Sequence, residues 1–507
     1  MQPIQNRLTQ WVKPVFLWWA LIILGIILRL RQYLSGRSLW ADEASLAFNL
    51  AHRSFAGLLQ PLDYDQGAPI GFLFIEKLLV IVLGNIDQVM RLFPLFSGIL
   101  AIYLFYRIAR THIKGGMLGV LLFSVSWSLI YYSSELKQYS SDVMIGLLLI
   151  FLASRCLEEN AQAKDFLLLG VTGAAVIWIS HPSAFILGGI GLAMLVAVLT
   201  KNRPIPVLWL LGLGSIWLVS FGVEYLVSLR HLITNDLLHT YWEKAFMPLP
   251  PGGTRIWLGK TYYSFLLTTL GRTDQILVIL FPTLALIGGV SLLFRERSMA
   301  IIIISPFFLA LLASALQKYP LKDRFMLFLV PLALLLITEG LARIYLIIAK
   351  WHAGIASVVY LFPALALFLL SARPALEFVQ QPFIGSDIKP VMEYVAKHKQ
   401  ENDTIYVYYT TVPVVDYYAP FYGIDNKDIL FGYRSPLKDV ALEGFYKDVE
   451  TLRGRDRIWF IFARILDCGG CEGDMQLYFV NYLNELGTML DSFHRTDANI
   501  YLYDFNP

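Results

Sequence analysis

Apolar runs of roughly twenty residues, separated by short polar segments, recur along most of the chain. An α-helix of that length is what is needed to cross the hydrocarbon core of a bilayer. The pattern therefore predicts a polytopic α-helical membrane protein with about 11 transmembrane helices. The predicted spans are about 14–34, 88–108, 115–133, 140–157, 164–180, 183–200, 205–227, 273–294, 299–316, 324–342 and 353–372.

One further apolar run, from Ile70 to Gly84, is excluded from the predicted spans. It is short, and Glu76 and Lys77 stand in its middle. A charge at the centre of a bilayer costs roughly 2.5–3.5 kcal/mol on insertion scales. An amphipathic helix lying at the membrane interface avoids that cost, so we predict an interfacial helix here.

The positions of basic residues predict the orientation of the chain. With the N-terminus in the cytoplasm, every short inner loop is basic, as the positive-inside rule requires. These inner-loop residues are Arg107, Arg110, Lys114, Lys164, Lys201, Arg203, Arg295, Arg297, Arg343 and Lys350. The long loop 229–272 and everything after Arg373 then lie outside, and the protein is predicted to reside in the plasma or inner membrane.

The outer segments carry predicted structure of their own. The loop 229–272 contains two amphipathic pieces, about 230–246 and 254–270, which a Pro- and Gly-rich turn separates. In the tail, helical patterns near 387–400 and 436–452 alternate with strand-like runs at 404–409, 458–463 and 500–503. This alternation predicts a small extracytoplasmic α/β domain. The predicted domains are 1–372, with outer-face loops 35–87 and 229–272, and 373–507.

Composition agrees with a membrane protein and adds little about partners. Hydrophobic residues make up 57% of the 507 residues and charged residues 16%, whereas soluble domains contain about 25% charged residues. The net charge of +3 is small, and no nucleic-acid partner is predicted. Cys468 and Cys471 form a CxxC pair in the tail, for which a local disulfide or idle thiols are expected rather than a zinc site.

Three polar clusters follow or separate apolar spans, and the predicted topology places all three on the outer face. They are Leu39–Ala44 with Asp42 and Glu43, Tyr132–Asp142, and Lys318–Arg324. Taken singly, each has an ordinary explanation, because acids are common at helix N-termini and long basic side chains snorkel at interfaces. Taken together, carboxylates and cations converge at one face of a chain poor in charge, which predicts a single site.

That combination suits a sugar carried on a polyprenyl phosphate. A phosphate leaving group needs positive charge as it departs, but it does not need the general acid that a glycosidase supplies. One general base is then enough to activate an acceptor hydroxyl. Asp42 or Glu43 is the candidate base, and Lys137, Lys322 or Arg324 the candidate cation.

At these clusters the chain resembles a GT-C glycosyltransferase, most closely the family 39 protein mannosyltransferases and their bacterial relatives. The likeness covers about 14–370. The motifs that carry it are Trp40–Glu43, Asp65–Phe72, Met90–Pro94 followed by Tyr106–Arg110, Tyr131–Tyr139, and Asp323–Phe325 before an apolar run with Pro331. Two motifs depart from the family pattern: Lys137 stands where an arginine is usual, and Gly67-Ala68-Pro69 replaces a Pro-Pro pair or a histidine.

The resemblance implies an integral-membrane hexosyltransferase that takes a sugar from a polyprenyl-phosphate donor, with inversion, on the outer face. It implies catalytic roles for Asp42, Glu43 and Glu135, with Asp42 as the base and Glu135 serving the acceptor or a metal. The implied donor-phosphate ligands are Lys137, Lys322, Arg324 and Arg91. Tyr139, Asp65 and His181 are the candidate substrate-binding residues, and the simplest interpretation of His181-Pro182 is the tight turn between spans 164–180 and 183–200. A divalent metal such as Mg²⁺ or Mn²⁺ is left open, and the acceptor is a lipid, a glycan or a protein.

Two other classes of function compete with this interpretation. A lipid-linked sugar flippase or secondary transporter usually shows inverted repeats and polar sites near the midplane of the membrane, and the sequence shows neither. A membrane anchor for a working tail domain would not need about eleven spans, and the tail has no strong nucleophile or phosphate-loop motif. Within the enzyme class, transfer from lipid to glycan and ligation are the close rivals.

Overall fold

The computed structural model describes residues 15–200, 206–249, 252–271, 273–432, 438–463 and 475–506. Most of these residues are helical. The helices before the tail are α1 (Val15–Tyr33), α2 (Ala41–His52), α3 (Ile70–Leu83), α4 (Leu92–His112), α5 (Gly116–Val125), α6 (Trp127–Tyr131), α7 (Tyr139–Cys156), α8 (Ala163–Val176), α9 (Ser183–Leu199), α10 (Val207–Glu224), α11 (Arg230–Ile233), α12 (Asp236–Trp242), α13 (Thr254–Leu270), α14 (Gln275–Arg295), α15 (Arg297–Ala315), α16 (Val330–Ile348) and α17 (Ala353–Gln380).

A helix occurs at each of the predicted spans. Within the described ranges, eight helical stretches are long and apolar enough to cross a membrane. They are Val15–Tyr33, Val89–His112, Tyr139–Cys156, Val207–Ile233, Gln275–Arg295, Arg297–Ala315, Asp323–Ile348 and Ala353–Gln380. The pair Gly116–Val125 and Trp127–Ser134, bent by 56°, adds a ninth if it counts as one span. The prediction of a polytopic helical membrane protein is therefore confirmed.

Two predicted spans form helices that are shorter than the spans just named. The predicted spans 164–180 and 183–200 correspond to α8, with 14 residues, and α9, with 17. The turn between them carries the sequence His181-Pro182.

The excluded run forms helix α3, which has 14 residues and is not among the membrane-crossing stretches. The environment of Glu76 in this helix differs from the expected one. An interfacial helix was expected to leave Glu76 in a polar environment, yet this side chain is completely buried, and neither of its carboxylate oxygens has a hydrogen-bond partner among the described residues. Burial raises the pKa of Glu76 well above its usual range, because desolvation disfavours the charged form.

The loop 229–272 differs in part from its predicted pattern. The second amphipathic piece is helix α13, as expected. The first piece is divided, because a π-helical turn, Tyr225–Leu229, joins α10 to α11 and so extends the preceding span to Ile233. Helix α12 then begins separately at Asp236, where the Asn235 side chain accepts a hydrogen bond from the Leu238 amide at 3.0 Å.

Close packing of α14 against α16 depends on two glycines. A Cβ atom on Gly288 would lie 1.9 Å from the Leu336 carbonyl oxygen, and one on Gly340 would lie 2.0 Å from that of Leu284. Small residues at such crossings let membrane helices approach closely enough for their backbones to touch.

The tail contains helices α18 (Ile388–His398), α19 (Val412–Tyr418), α20 (Lys438–Glu450) and α21 (Met475–Leu486) and strands β1 (Thr404–Val407), β2 (Ile429–Phe431), β3 (Ile458–Ala463), β4 (Thr488–Arg495) and β5 (Ala498–Asp504). The sheet order is β2-β1-β3-β5-β4, parallel from β2 to β3 and antiparallel from β3 to β4. All six residues of the central strand β3 are buried, as expected for a strand covered on both faces. The predicted small α/β domain is confirmed.

The described chain divides into two compact units. The first unit holds the chain up to Ser35, Ala68–Glu76 and Arg91–Pro382; the second holds Gly36–Gly67, Lys77–Met90 and the tail from Phe383 onward. The loop segments that carry the first polar cluster thus belong to the same unit as the tail. Cys468 and Cys471 lie outside the described residues.

Candidate active site

The two adjacent acids of the first cluster have different environments. Both lie in the first turn of α2, after an extended Trp40. The Glu43 carboxylate is fully buried and pairs with the buried Arg37 guanidinium, with Nη1 to Oε2 at 2.7 Å and Nη2 to Oε1 at 3.5 Å. Asp42 is partly exposed. Of the two acids, Asp42 is therefore the one that a substrate can reach, and Glu43 is the fixed partner of an arginine.

The tail holds the segment that leads into these acids. The Lys389 ammonium donates to the Gly36 carbonyl oxygen at 2.8 Å, and the Leu39 amide donates to the Tyr418 hydroxyl at 2.9 Å. The Tyr418 hydroxyl donates in turn to Asp87 at 2.7 Å, and Lys389 also pairs with Asp87 at 3.0 Å. These bonds fix the backbone directly before Trp40, which gives the tail a positioning role within this unit.

Asp65, predicted to bind substrate, lies in a strained turn of the same unit. Tyr64 and Asp65 have φ values of +62° and +50°, a region that residues other than glycine seldom adopt. The Tyr64 hydroxyl donates a short hydrogen bond to the Asp416 carboxylate. Asp63 pairs with Arg53 at 2.8 Å. The turn is thus held by polar contacts of the two residues that precede Asp65.

The second cluster lies in the first unit and is buried. Glu135 and Lys137 are 0% and 3% exposed, and the Lys137 amide donates to the Glu135 carbonyl oxygen at 2.7 Å. Ser133 and Ser134 donate their hydroxyl protons to carbonyl oxygens three residues earlier, which closes the turn before α7. Arg91, 2% exposed, belongs to the same unit.

The third cluster places Arg324 among aromatic rings. Its guanidinium carbon lies 5.5 Å from the centre of the Tyr139 ring and 5.7 Å from that of Trp242, within the range of cation–π attraction. Asp323, with φ of +45°, anchors the turn by accepting from the Ser264 hydroxyl at 2.6 Å. Lys322 is exposed.

His181 has a buried partner that the sequence did not reveal. Its Nε2 atom lies 3.2 Å from Oε1 of Glu224, which is completely buried at the end of α10. Glu224 stands 43 positions later in the chain, so no local pattern marks the pair. Arg37 was missed for a different reason: an arginine six residues before Glu43 looks like an ordinary interfacial anchor.

The predicted site residues thus fall into two groups. Asp42, Glu43 and Asp65 belong to the second unit. The first unit holds Arg91, Glu135, Lys137, Tyr139, His181, Lys322 and Arg324. Within the first unit, Tyr139 and Arg324 are brought into contact. That the three clusters form one site stays a prediction. Among the described residues there is no group of three or more His, Cys, Asp or Glu side chains that could hold a metal ion.

Comparison with known proteins gives a structural likeness only. No protein-family model matches the sequence, and no curated protein matches it. Two crystal structures of ArnT from Cupriavidus metallidurans resemble the chain over 97% of its length and 98% of theirs. The apo structure has 13% identity and a TM-score of 0.54, and the structure bound to undecaprenyl phosphate has 13% and 0.55.

A third structure, an Archaeoglobus fulgidus oligosaccharyltransferase complex with zinc and sulfate, has 12% identity and a TM-score of 0.46 over 78% of this chain and 61% of its own. The likeness to family 39 rests on the sequence motifs alone. The chain therefore shares the fold of the two ArnT crystal structures.

Proposed function

We propose that the protein is an integral-membrane glycosyltransferase that moves a sugar from a polyprenyl-phosphate donor to an acceptor hydroxyl on the outer face, with inversion. The observation that carries the proposal is the likeness over nearly the full length to ArnT, one structure of which holds undecaprenyl phosphate. The buried and aromatic-stacked cations support it, because a lipid phosphate at the membrane boundary needs such groups.

Asp42 is the proposed base. It accepts the proton of the acceptor hydroxyl while the hydroxyl oxygen attacks the anomeric carbon of the sugar. The bond from that carbon to the phosphate oxygen breaks on the opposite face, and its electron pair leaves with the polyprenyl phosphate. Glu43 is already neutralised by Arg37 at 2.7 Å, so the base role is assigned to Asp42 alone.

The departing phosphate gains negative charge, and cations stabilise it. Arg324 is the first candidate, because its guanidinium lies beside two aromatic rings and a planar fork suits two phosphate oxygens. Lys137, Arg91 and the exposed Lys322 are the further candidates. Glu135 is the proposed second acid, serving the acceptor or a divalent metal.

The test is transfer of label by purified, detergent-solubilised protein. Undecaprenyl phosphates carrying radiolabelled glucose, mannose, galactose or arabinose are supplied one at a time, with lipid and glycan extracts as acceptors. We expect label to move into a new product with one of these donors and not with the Asp42→Asn variant. Absence of both donor binding and label transfer across the panel would contradict the proposal and favour transport assays.

Replacing Arg324 with Ala is expected to weaken donor binding by roughly 10- to 150-fold, because a hydrogen bond to a charged group contributes about 1.5–3 kcal/mol. Acceptor binding should not change. Binding of undecaprenyl phosphate to the protein in nanodiscs gives the measurement. Arg343→Ala is the matched control, since Arg343 is an exposed arginine on the same continuous helical stretch. Equal donor affinity in the wild type and Arg324→Ala would remove Arg324 from the phosphate site.

A further inference from the structure

Three helical segments of the first unit bring buried polar groups together beside His181. Asp142 comes from the first turn of α7, Ser180 and His181 from the turn between α8 and α9, and Glu224 from the end of α10. Asp142, Ser180 and Glu224 are 5%, 1% and 0% exposed. The Asp142 carboxylate lies within electrostatic range of Ser180 and His181, and Nε2 of His181 lies 3.2 Å from Oε1 of Glu224.

Two tyrosines lie between this group and Arg324. Tyr319 is within electrostatic range of both Asp142 and Tyr139, and the Arg324 guanidinium carbon lies 5.5 Å from the centre of the Tyr139 ring. Burial, followed by the neighbouring Asp142 and Tyr139, raises the pKa of Tyr319 well above its usual range, so its hydroxyl keeps its proton at neutral pH. The series therefore has a cation at one end and carboxylates at the other, with two tyrosines between.

The carboxylates at the far end are incompletely satisfied. Oδ1 of Asp142 and Oε2 of Glu224 are buried and have no hydrogen-bond partner in the described part of the chain. Leaving a buried polar group unpaired is unfavourable. The buried Glu339 is a useful contrast, because it accepts hydrogen bonds from Ser291 at 2.8 Å, from the Lys114 amide at 2.7 Å and from Arg295 at 3.2 Å. Glu339 is a structural acid, whereas Asp142 and Glu224 keep acceptor capacity for a ligand.

The backbone next to Glu224 is also unusual. The π-helical turn Tyr225–Leu229 follows it directly, and π-turns within helices are frequent at functional sites. Most of the surrounding span is exposed on its surface, and only 17% of its most apolar window is buried. Glu224 therefore lies on the buried side of this helix, in line with the buried Leu213 and Trp217.

The chemistry of this group suits hydroxyl groups better than a phosphate. The Asp142 and Glu224 carboxylates can accept hydrogen bonds from hydroxyls, the His181 ring can donate or accept one, and none of the three is a permanent cation. Aromatic rings stand close by: the Phe185 and Tyr319 ring centres are 5.1 Å apart. We propose that Asp142, His181 and Glu224 form the subsite that binds the sugar hydroxyls of the donor, with the donor phosphate at Arg324. This inference rests on the proposed function.

The experiment compares two lipids on the same protein in nanodiscs. One is undecaprenyl phosphate, and the other is the undecaprenyl-phosphate sugar from the panel that the wild type binds most tightly. The ratio of the two dissociation constants measures what the sugar contributes. In Asp142→Asn and Glu224→Gln, we expect affinity for undecaprenyl phosphate to stay within about twofold, while the sugar's contribution falls by roughly 5- to 150-fold.

Two control variants separate a binding role from a structural one. Glu339→Gln alters a buried acid whose partners are all protein groups, and it should leave the ratio unchanged. Arg324→Ala should weaken both lipids together and also leave the ratio unchanged. If a carboxylate variant fails to fold, His181→Gln provides the same comparison from the exposed side of the pair, since the His181 side chain is 16% exposed.

The outcomes distinguish this inference from the proposed function. An unchanged ratio in the folded Asp142, His181 and Glu224 variants would overturn the subsite while the wild type still transfers sugar. A uniform loss of affinity for both lipids would also overturn it, because the groups would then act on the phosphate or on the fold. A wild type that binds neither lipid would contradict the proposed function, and the subsite would fall with it.

Discussion

Asp42→Asn is expected to lower the rate of sugar transfer by about 10²–10⁴-fold, the usual contribution of a general base. The amide has nearly the same shape as the carboxylate but cannot take a proton from the acceptor hydroxyl. The fold should persist, because the substitution keeps the neighbouring buried ion pair of Arg37 and Glu43. Donor affinity should also persist, since the base acts on the acceptor.

The measurement is single-turnover transfer with saturating donor, alongside the yield and thermal midpoint of the purified variant. Glu393→Gln is the matched control, because Glu393 is an acid of the same unit that is 55% exposed and pairs with Lys397. The control should transfer at nearly the wild-type rate. A wild-type transfer rate in Asp42→Asn would contradict the assignment of Asp42 as the base. A lower yield of folded protein with unchanged specific activity would show that Asp42 has a structural role instead.

The transmembrane helices and the central strand could be predicted because each depends on a local property of the sequence. The length of an apolar run reports whether a helix can cross a bilayer, so a helix appears at every predicted span. Burial on both faces makes β3 a continuous apolar run, and it was found at Ile458–Ala463 as predicted. Strand β4 (Thr488–Arg495) was missed because it lies at the edge of the sheet and its apolar residues, Met489, Leu490 and Phe493, do not alternate regularly with polar ones.

What could not be predicted is where a charged side chain finds its partner. Tyr418 meets the Leu39 amide across 379 positions, and His181 meets Glu224 across 43. Contacts between residues so far apart in sequence cannot be recognised from hydrophobic periodicity or from motif spacing. Sequence reasoning therefore identified Asp42 and Glu43 together as candidates but could not tell the partly exposed acid from the buried one.

The environment of Glu76 could not be predicted for the same reason, because it depends on how distant parts of the chain pack. The sequence shows a charge within a short apolar helix, and avoiding the bilayer centre was enough to predict an interfacial position. The structure agrees that α3 is too short to be a span but places Glu76 inside the protein, 0% exposed. A charge can escape the hydrocarbon by moving to the surface or by becoming neutral within a packed interior, and only the packing decides between these outcomes.

Glu43→Ala should destabilise the second unit by about 3–5 kcal/mol, the usual effect of removing one partner from a buried ion pair. Arg37 is 1% exposed, so its guanidinium would be left in the interior without its carboxylate. The double variant Arg37→Met, Glu43→Leu should recover most of that loss, because apolar residues of similar volume replace a buried pair at little net cost.

Chemical denaturation measures the free energy of unfolding of four proteins: the wild type, Glu43→Ala, Arg37→Met and the double variant. Together the four values give the coupling free energy between positions 37 and 43. The transfer rates of the same variants then show whether Glu43 acts on the stability of the fold or on the chemistry. If Glu43 acts by fixing the start of α2, the double variant should regain stability and, with Asp42 still in place, much of the transfer rate. A stable Glu43→Ala variant without transfer activity would show the reverse, that Glu43 itself takes part in the chemistry.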